Sequence, residues 1–205
     1  MDASTSLNSY REQLKKYIDF NEAEWIIFSQ HLSIGQLKKK QYFSEPGKVC
    51  DKVAFMIKGT VRYFHIKDGQ EITGYFSFEN EFVTSYKSFL TGLPGLTYIQ
   101  ALEDCLLITF THRDLDQMLA NPMLAYKVEK FGRLVAEETI VCYEDRVASF
   151  ITQTPEERYL QLYNTGKDIL RRMPQHYIAN YLGITPVSLS RIRRRVMVTS
   201  KQETP

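Results

Sequence analysis

The sequence has little of what marks secreted, membrane-spanning or metal-holding chains. Only three of its 205 residues are cysteine, and Cys50, Cys105 and Cys142 form no CxxC pair. Neither a disulfide framework nor a thiolate metal site is indicated, and reduced cytosolic thiols are the default. No stretch approaches the ~18 consecutive apolar residues of a membrane span. The first residues lack the apolar run of a secretory signal. A cytoplasmic protein without a membrane partner is therefore expected. His31, His65, His112 and His176 lack the short spacings of a metal site. There is no P-loop, no GxSxG and no carboxylate pair set apart by its surroundings, so enzymatic activity has no candidate centre. No motif asks for haem, and no cofactor is expected.

What is present is an uneven charge and enough apolar residues, 43%, for real cores. The length suits one large domain or two modest ones. Residues 1–150 carry 17 Lys+Arg against 20 Asp+Glu, whereas residues 151–205 carry nine against four. A mildly acidic body with a basic C-terminal unit is the asymmetry expected when one part meets nucleic acid.

The basic unit contains Tyr177-Ile-Ala-Asn-Tyr-Leu-Gly-Ile-Thr-Pro-Val-Ser-Leu-Ser-Arg-Ile-Arg-Arg-Arg195, which reads as a helix-turn-helix. Ile178, Ala179 and Leu182 form one apolar face. Gly183 ends that helix by entering the left-handed region at no steric cost. Thr185 suits an N-cap and Pro186 the first helical position. At about 100° per residue, Leu189, Ile192 and Val196 lie within roughly 60° and form the buried stripe. Val187, Ser188, Arg191, Arg194 and Arg195 fall on the opposite side, with Arg193 nearer the buried edge. Arginine's planar fork suits guanine edges and phosphates. Double-stranded DNA is the partner this pattern predicts.

Upstream, Leu7 to about His31 has helical character, with Trp25, Ile26 and Phe28 as docking groups. From Gly35 to Ile108 short β-branched and aromatic runs alternate with Gly and Pro turns. Val53–Ile57, Thr60–Ile66, Ile72–Phe76 and Tyr98–Phe110 read as strands, with Asp68-Gly69 as a hairpin turn. Turns this regular suggest a β-barrel or jelly roll. Thr111 then caps a short helix, with Asp114 returning the interaction. A long helix runs from about Pro122 to Phe150, with Leu124, Val128, Phe131 and Val135 as an a/d-like seam in its first half. That seam suits a dimer helix, or a helix lying on its own barrel. Thr154-Pro-Glu-Glu157 is a capping box that starts a new helix, making Gln153 and Thr154 the domain junction and a hinge between sensor and reader.

This order of elements resembles the cyclic-AMP receptor protein (Crp/Fnr) family of bacterial transcription regulators. Besides the helix-turn-helix, "VAFMIKGTVR" (Val53–Arg62) is similar to the early hairpin of cyclic-nucleotide-binding domains, and "YIQALEDCLLI" (Tyr98–Ile108) to the strand closing the roll. "PEERYLQL" with "YIANYLGITPVSLSRIRRR" resembles regulators of the Bacteroidetes type. The implied fold is α+β: a cyclic-nucleotide-binding-like β-roll or jelly roll over residues 1–121, a dimerisation helix over 122–152, and a C-terminal winged helix-turn-helix over 153–205.

The resemblance implies a homodimer in which Val187, Ser188 and Arg191 meet base edges and Gln175 and His176 lie against phosphates. With Thr185, Arg194 and Arg195 these are the candidate DNA contacts. RNA polymerase is a further partner that activators of this family touch. Relatives often carry glutamate where this chain has Val187. Valine cannot accept a hydrogen bond from cytosine but could contact a thymine methyl, so a different half-site is expected.

In the roll, relatives use a Gly-Glu pair for ribose and an Arg-Ser/Thr pair for the cyclic phosphate. Here the first becomes Thr84-Ser85, the second falls near Gly95-Leu96, and no arginine lies between Lys67 and Thr111. This argues against cyclic AMP, because an unpaired buried phosphate is costly. Thr84, Ser85, Tyr86, Tyr98 and Tyr143 are candidates for the pocket of another, unidentified effector. Alternatively, the aromatics of this region simply fill a core. The function expected is a dimeric, sequence-specific DNA-binding regulator. The alternative is a ligand-sensing or interaction module whose basic helices dock a protein.

Overall fold

A computed structural model of the chain describes residues 3–202. It opens with α1 (Ala3–Leu14) and α2 (Glu22–Ser29). Strands β1 (Ser33–Leu37), β2 (Tyr42–Ser44), β3 (Lys52–Lys58), β4 (Val61–Lys67), β5 (Gln70–Ser77) and β6 (Phe82–Val83) follow. Helix α3 (Tyr86–Thr91) precedes β7 (Tyr98–Ala101) and β8 (Cys105–Thr111). The remainder is α4 (His112–Ala120), α5 (Ala125–Thr152), α6 (Pro155–Thr165), α7 (Lys167–Arg172), α8 (Gln175–Tyr181) and α9 (Pro186–Gln202). Two compact units form. The first holds residues up to 65 together with 76–139, and the second holds 66–75 together with the residues from 140 on. The Gln153–Thr154 junction expected from the sequence thus lies inside the second unit.

The strands form two four-stranded sheets in the orders β1-β8-β3-β6 and β2-β7-β4-β5, with antiparallel pairing at β1–β8, β3–β8, β3–β6, β2–β7 and β4–β7. Ala54, Met56, Val61, Val83, Ile99, Ala101 and Leu107 are buried together in one core. At the tip of the β4–β5 hairpin Asp68 and Gly69 both have positive φ, 52° and 74°, the geometry whose twist matches the flanking strands.

The single strand expected over Tyr98–Phe110 is two strands in different sheets. The break at Leu102–Asp104 contains neither Gly nor Pro. Side-chain chemistry makes it instead: Asp104 accepts from the Lys39 amide at 2.9 Å, Thr60 Oγ1 donates to Glu103 at 2.7 Å, and the Leu102 amide donates to Thr60 O.

The N-terminal helical region is likewise two helices, the second started by a complete capping box between Asn21 and Glu24. Trp25 and Phe28 dock as expected, but Ile26 points outward and is 58% exposed, since neighbouring helical residues lie about 100° apart. These helices join Phe55, Ile108 and Phe110 in a second core that also takes Leu124, Val128 and Phe131. The seam in the first half of α5 therefore packs on its own roll rather than awaiting a partner helix. Lys127 fixes the register, its ammonium bonding Glu24 and the Asp19 carbonyl. Among the described residues from 140 to 202 there is no strand, so no wing accompanies the helix-turn-helix there. Pro186 to Gln202 contains no internal Gly or Pro that would end α9 earlier.

Candidate nucleic-acid interface

The helix-turn-helix is built by two terminations and one start. Helix α8 buries Ile178, Ala179 and Leu182 and ends at Gly183, whose φ is 70°. The Ile184 amide donates to Ala179 O at 2.9 Å and the Gly183 amide to Asn180 O at 3.0 Å. This double closure of a helix end satisfies carbonyls that would otherwise lack donors. A Cβ on Gly183 would lie 2.8 Å from the Phe150 ring, so both φ and space call for glycine. Thr185 Oγ1 then accepts from the Ser188 amide at 3.1 Å and starts α9.

Leu189 and Ile192 are buried, while Val187, Arg191 and Arg194 are exposed, as periodicity predicts. Pro186, Val187, Ser190, Arg191 and Arg194 line one open hollow on the outer side of α9. Gln175 and His176 are exposed at the start of α8, with the His176 ring 4.1 Å from that of Tyr177.

Three candidate contacts have internal work. Thr185 and Ser188 share a hydroxyl hydrogen bond of 3.0 Å as part of the cap. Arg195 is ion-paired with Glu156 of α6, Nε at 3.1 Å, which holds its pKa above the ordinary arginine value. Ser190, absent from the sequence-level candidates, lines the hollow.

The bracing of this unit was not legible in the sequence. Arg158 is buried in α6 and donates through Nε and Nη2 to Leu182 O, at 3.2 and 3.0 Å, and through Nη1 to Gln153 O at 2.6 Å. It thus serves the C-terminal carbonyls of both α5 and α8. Arg146 donates to Tyr181 O, and burial pushes its pKa below the ordinary value. Phe150 lies under both guanidiniums, at 4.5 and 4.7 Å from its ring centre. The Thr154 capping box is complete, and the bonds from Arg158 hold the Gln153–Thr154 junction to α8. Asn180 also donates to Glu71 O at 2.9 Å, holding the β4–β5 hairpin to α8 within the same unit.

The candidate effector residues are not gathered in this way. Thr84 Oγ1 donates to Lys52 O at 3.0 Å. Ser85 is buried beside Gly95, where an added Cβ would lie 2.9 Å from its Oγ. Tyr86 begins α3, half-buried, with its pKa raised by burial. Tyr98 stands opposite Ile99 and Ala101 on its strand and stacks on Phe64 at 4.8 Å. Among the described residues no hydrogen bond or ring contact links Thr84, Ser85 or Tyr86 to Tyr98. Tyr143 belongs to the second unit, where it is 62% exposed. No helix of the described residues is long and apolar enough to cross a membrane, and they contain no group of three or more His, Cys, Asp or Glu able to hold a metal ion.

The fold is that of the cyclic-nucleotide-binding β-roll with helices, and solved structures that share it include proteins described as Crp/Fnr-family regulators. Residues 34–121 match the family described as the cyclic nucleotide-binding domain. A protein described as a Crp/Fnr-family transcriptional regulator from Eubacterium rectale is similar at 18% identity and TM-score 0.67, over 91% of this chain and 87% of that one. The c-di-GMP-responsive global regulator CLP of Xanthomonas campestris is similar at 13% identity and TM-score 0.66, over 88% and 93%. A cyclic nucleotide-binding domain from Methylobacillus flagellatus gives 18% and 0.62, over 71% and 84%. No curated protein matches the chain.

The roll's own residues do not fit a cyclic nucleotide phosphate. Between Asp68 and Thr111 the one basic residue is Lys87, and it is exposed on α3. Thr84 is committed to the β3 backbone, and Gly95 closes directly on Ser85. The buried guanidinium of this sheet, Arg62, stands on the other face of β4 from Val61. It bonds Gln100 at 3.4 Å and lies 4.0 Å from the Phe64 ring centre.

Proposed function

We propose that this chain is a dimeric, sequence-specific DNA-binding transcription regulator whose roll does not use the usual cyclic-phosphate contacts. One observation carries the reading: an α8–turn–α9 unit closed at Gly183, whose outer hollow presents Val187, Ser190, Arg191 and Arg194. Such a second helix fits the major groove, with its N-terminal residues at base edges. Gln175 and His176 at the start of α8 suit phosphate contacts, where a helix N-terminus favours anions.

The dimer reading rests on the second half of α5. Ile140, Tyr143, Val147 and Ile151 lie within roughly 80° of one another on the helix, and all are more than half exposed, Ile151 by 77%. A second copy of this helix would bury that stripe. Two α9 helices related by a two-fold axis would then meet half-sites roughly 34 Å apart.

Replacing Arg191 and Arg194 together by alanine tests the reading without touching the core, since both are exposed. A DNA reader loses sequence preference, each good base contact being worth about 1–3 kcal/mol. A module that docks a protein instead shows no preference among duplexes before or after the change, and loses non-specific affinity for all of them alike as two cations are removed.

A further inference from the structure

Resting on the DNA reading above, we infer that Val187 and Arg191 together select a thymine within about two base pairs of a guanine, with Val187 recognising the thymine 5-methyl group. Taking Pro186 as the origin, Val187, Arg191 and Arg194 fall within roughly 60° of one another at 100° per residue. That stripe lies opposite buried Leu189 and Ile192 and lines the outer hollow.

Three neighbouring polar side chains are engaged within the unit. The Ser188 and Thr185 hydroxyls bond each other, and Thr185 also holds the Ser188 amide. Arg195 is held by Glu156. At the first turn of α9, where such helices approach base edges, the dominant free feature is therefore an aliphatic side chain, 61% exposed. The apolar feature of the major groove is the thymine methyl.

Arg191 lies one turn further along, about 6 Å in rise, and a guanidinium there matches the O6 and N7 acceptors of guanine. With successive base pairs about 3.4 Å apart, the two contacts fall within about two base pairs. Ser190, on the same outward side, has a hydroxyl that can hydrogen-bond either partner's edge.

The test is selection of duplexes from a random pool by the full-length protein. Each thymine of the selected half-site is then replaced by deoxyuridine, which removes only the methyl group. At one thymine within about two base pairs of a guanine the wild type should lose affinity about fourfold, as expected for one buried methyl. Val187→Ala should bind the thymine duplex more weakly and be insensitive to the same replacement. Selected sequences in which no deoxyuridine replacement matters, or in which Val187→Ala stays equally sensitive, overturn the assignment to Val187 and leave the DNA reading intact. Recovery of no preferred sequence overturns both.

Discussion

At the scale of single residues, this molecule depends on arginines whose sequence positions say nothing of their burial. Arg158 sits three residues beyond Pro155 in a stretch that reads as solvated helix, yet three of its hydrogen bonds close two backbone carbonyls, Leu182 O and Gln153 O, at two helix ends. Removing it leaves buried carbonyls unsatisfied, at about 1–3 kcal/mol each where no water replaces the donor. Arg158→Ala should therefore lower stability by about 2–4 kcal/mol, seen as a reduced urea midpoint. A midpoint unchanged within error would show that water replaces the guanidinium. Gly183, by contrast, was fully legible, because a turn between two apolar helical stripes leaves little but glycine. Exposure of Val187, Arg191 and Arg194 was legible from periodicity alone. The pairing of Arg195 with Glu156 was not, since the two are 39 residues apart and no local pattern connects them.

At the scale of elements, α5 shows what periodicity can and cannot decide. The spacing of Leu124, Val128, Phe131 and Val135 correctly marks an apolar seam, but no spacing says whether a seam meets its own roll or a second chain. Capping signals were read well: the Thr111–Asp114 and Thr154–Glu157 boxes both form. The divided strand at Leu102–Asp104 escaped notice because its break is made by carboxylates bonding distant groups.

The docking of α5 on α2 has a pH signature. Hydrogen bonding from Lys127 holds the Glu24 carboxyl below its ordinary value of 4.5. A carboxyl depressed in the folded state stabilises above its unfolded pKa, and that contribution is lost as pH falls through the folded value. Lys127→Met should thus lower Tm near neutral pH, by about 1 kcal/mol in stability at most. The difference from wild type should shrink when both are melted at about pH 3. An equal difference at both pH values would assign the effect to packing of the lysine stem.

At the scale of the whole molecule, the β-roll and the exposed basic face of α9 were legible because each rests on local signals that agree. The effector side was less so: Thr84, placed by alignment to a pocket pattern, bonds the β3 backbone, and Tyr98, chosen as one of many aromatics, stacks on Phe64. The account requires two copies. Val147→Glu combined with Ile151→Glu should convert a dimer into a monomer in sedimentation velocity, because like charges would face each other across the seam. A wild type that sediments as a monomer, or a charged variant that stays dimeric, would remove α5 as the dimer contact.

The central claim, that this chain reads DNA sequence, is tested most directly by fluorescence anisotropy of the purified protein. The probe is the DNA upstream of its own gene, at two salt concentrations, with scrambled competitor, and with and without cyclic AMP. The account predicts binding that resists scrambled competitor, weakens steeply with salt as counterions return to the phosphates, and is indifferent to cyclic AMP. Binding that scrambled DNA competes away equally would contradict the claim of sequence reading, and binding that needs cyclic AMP would contradict the account of the roll.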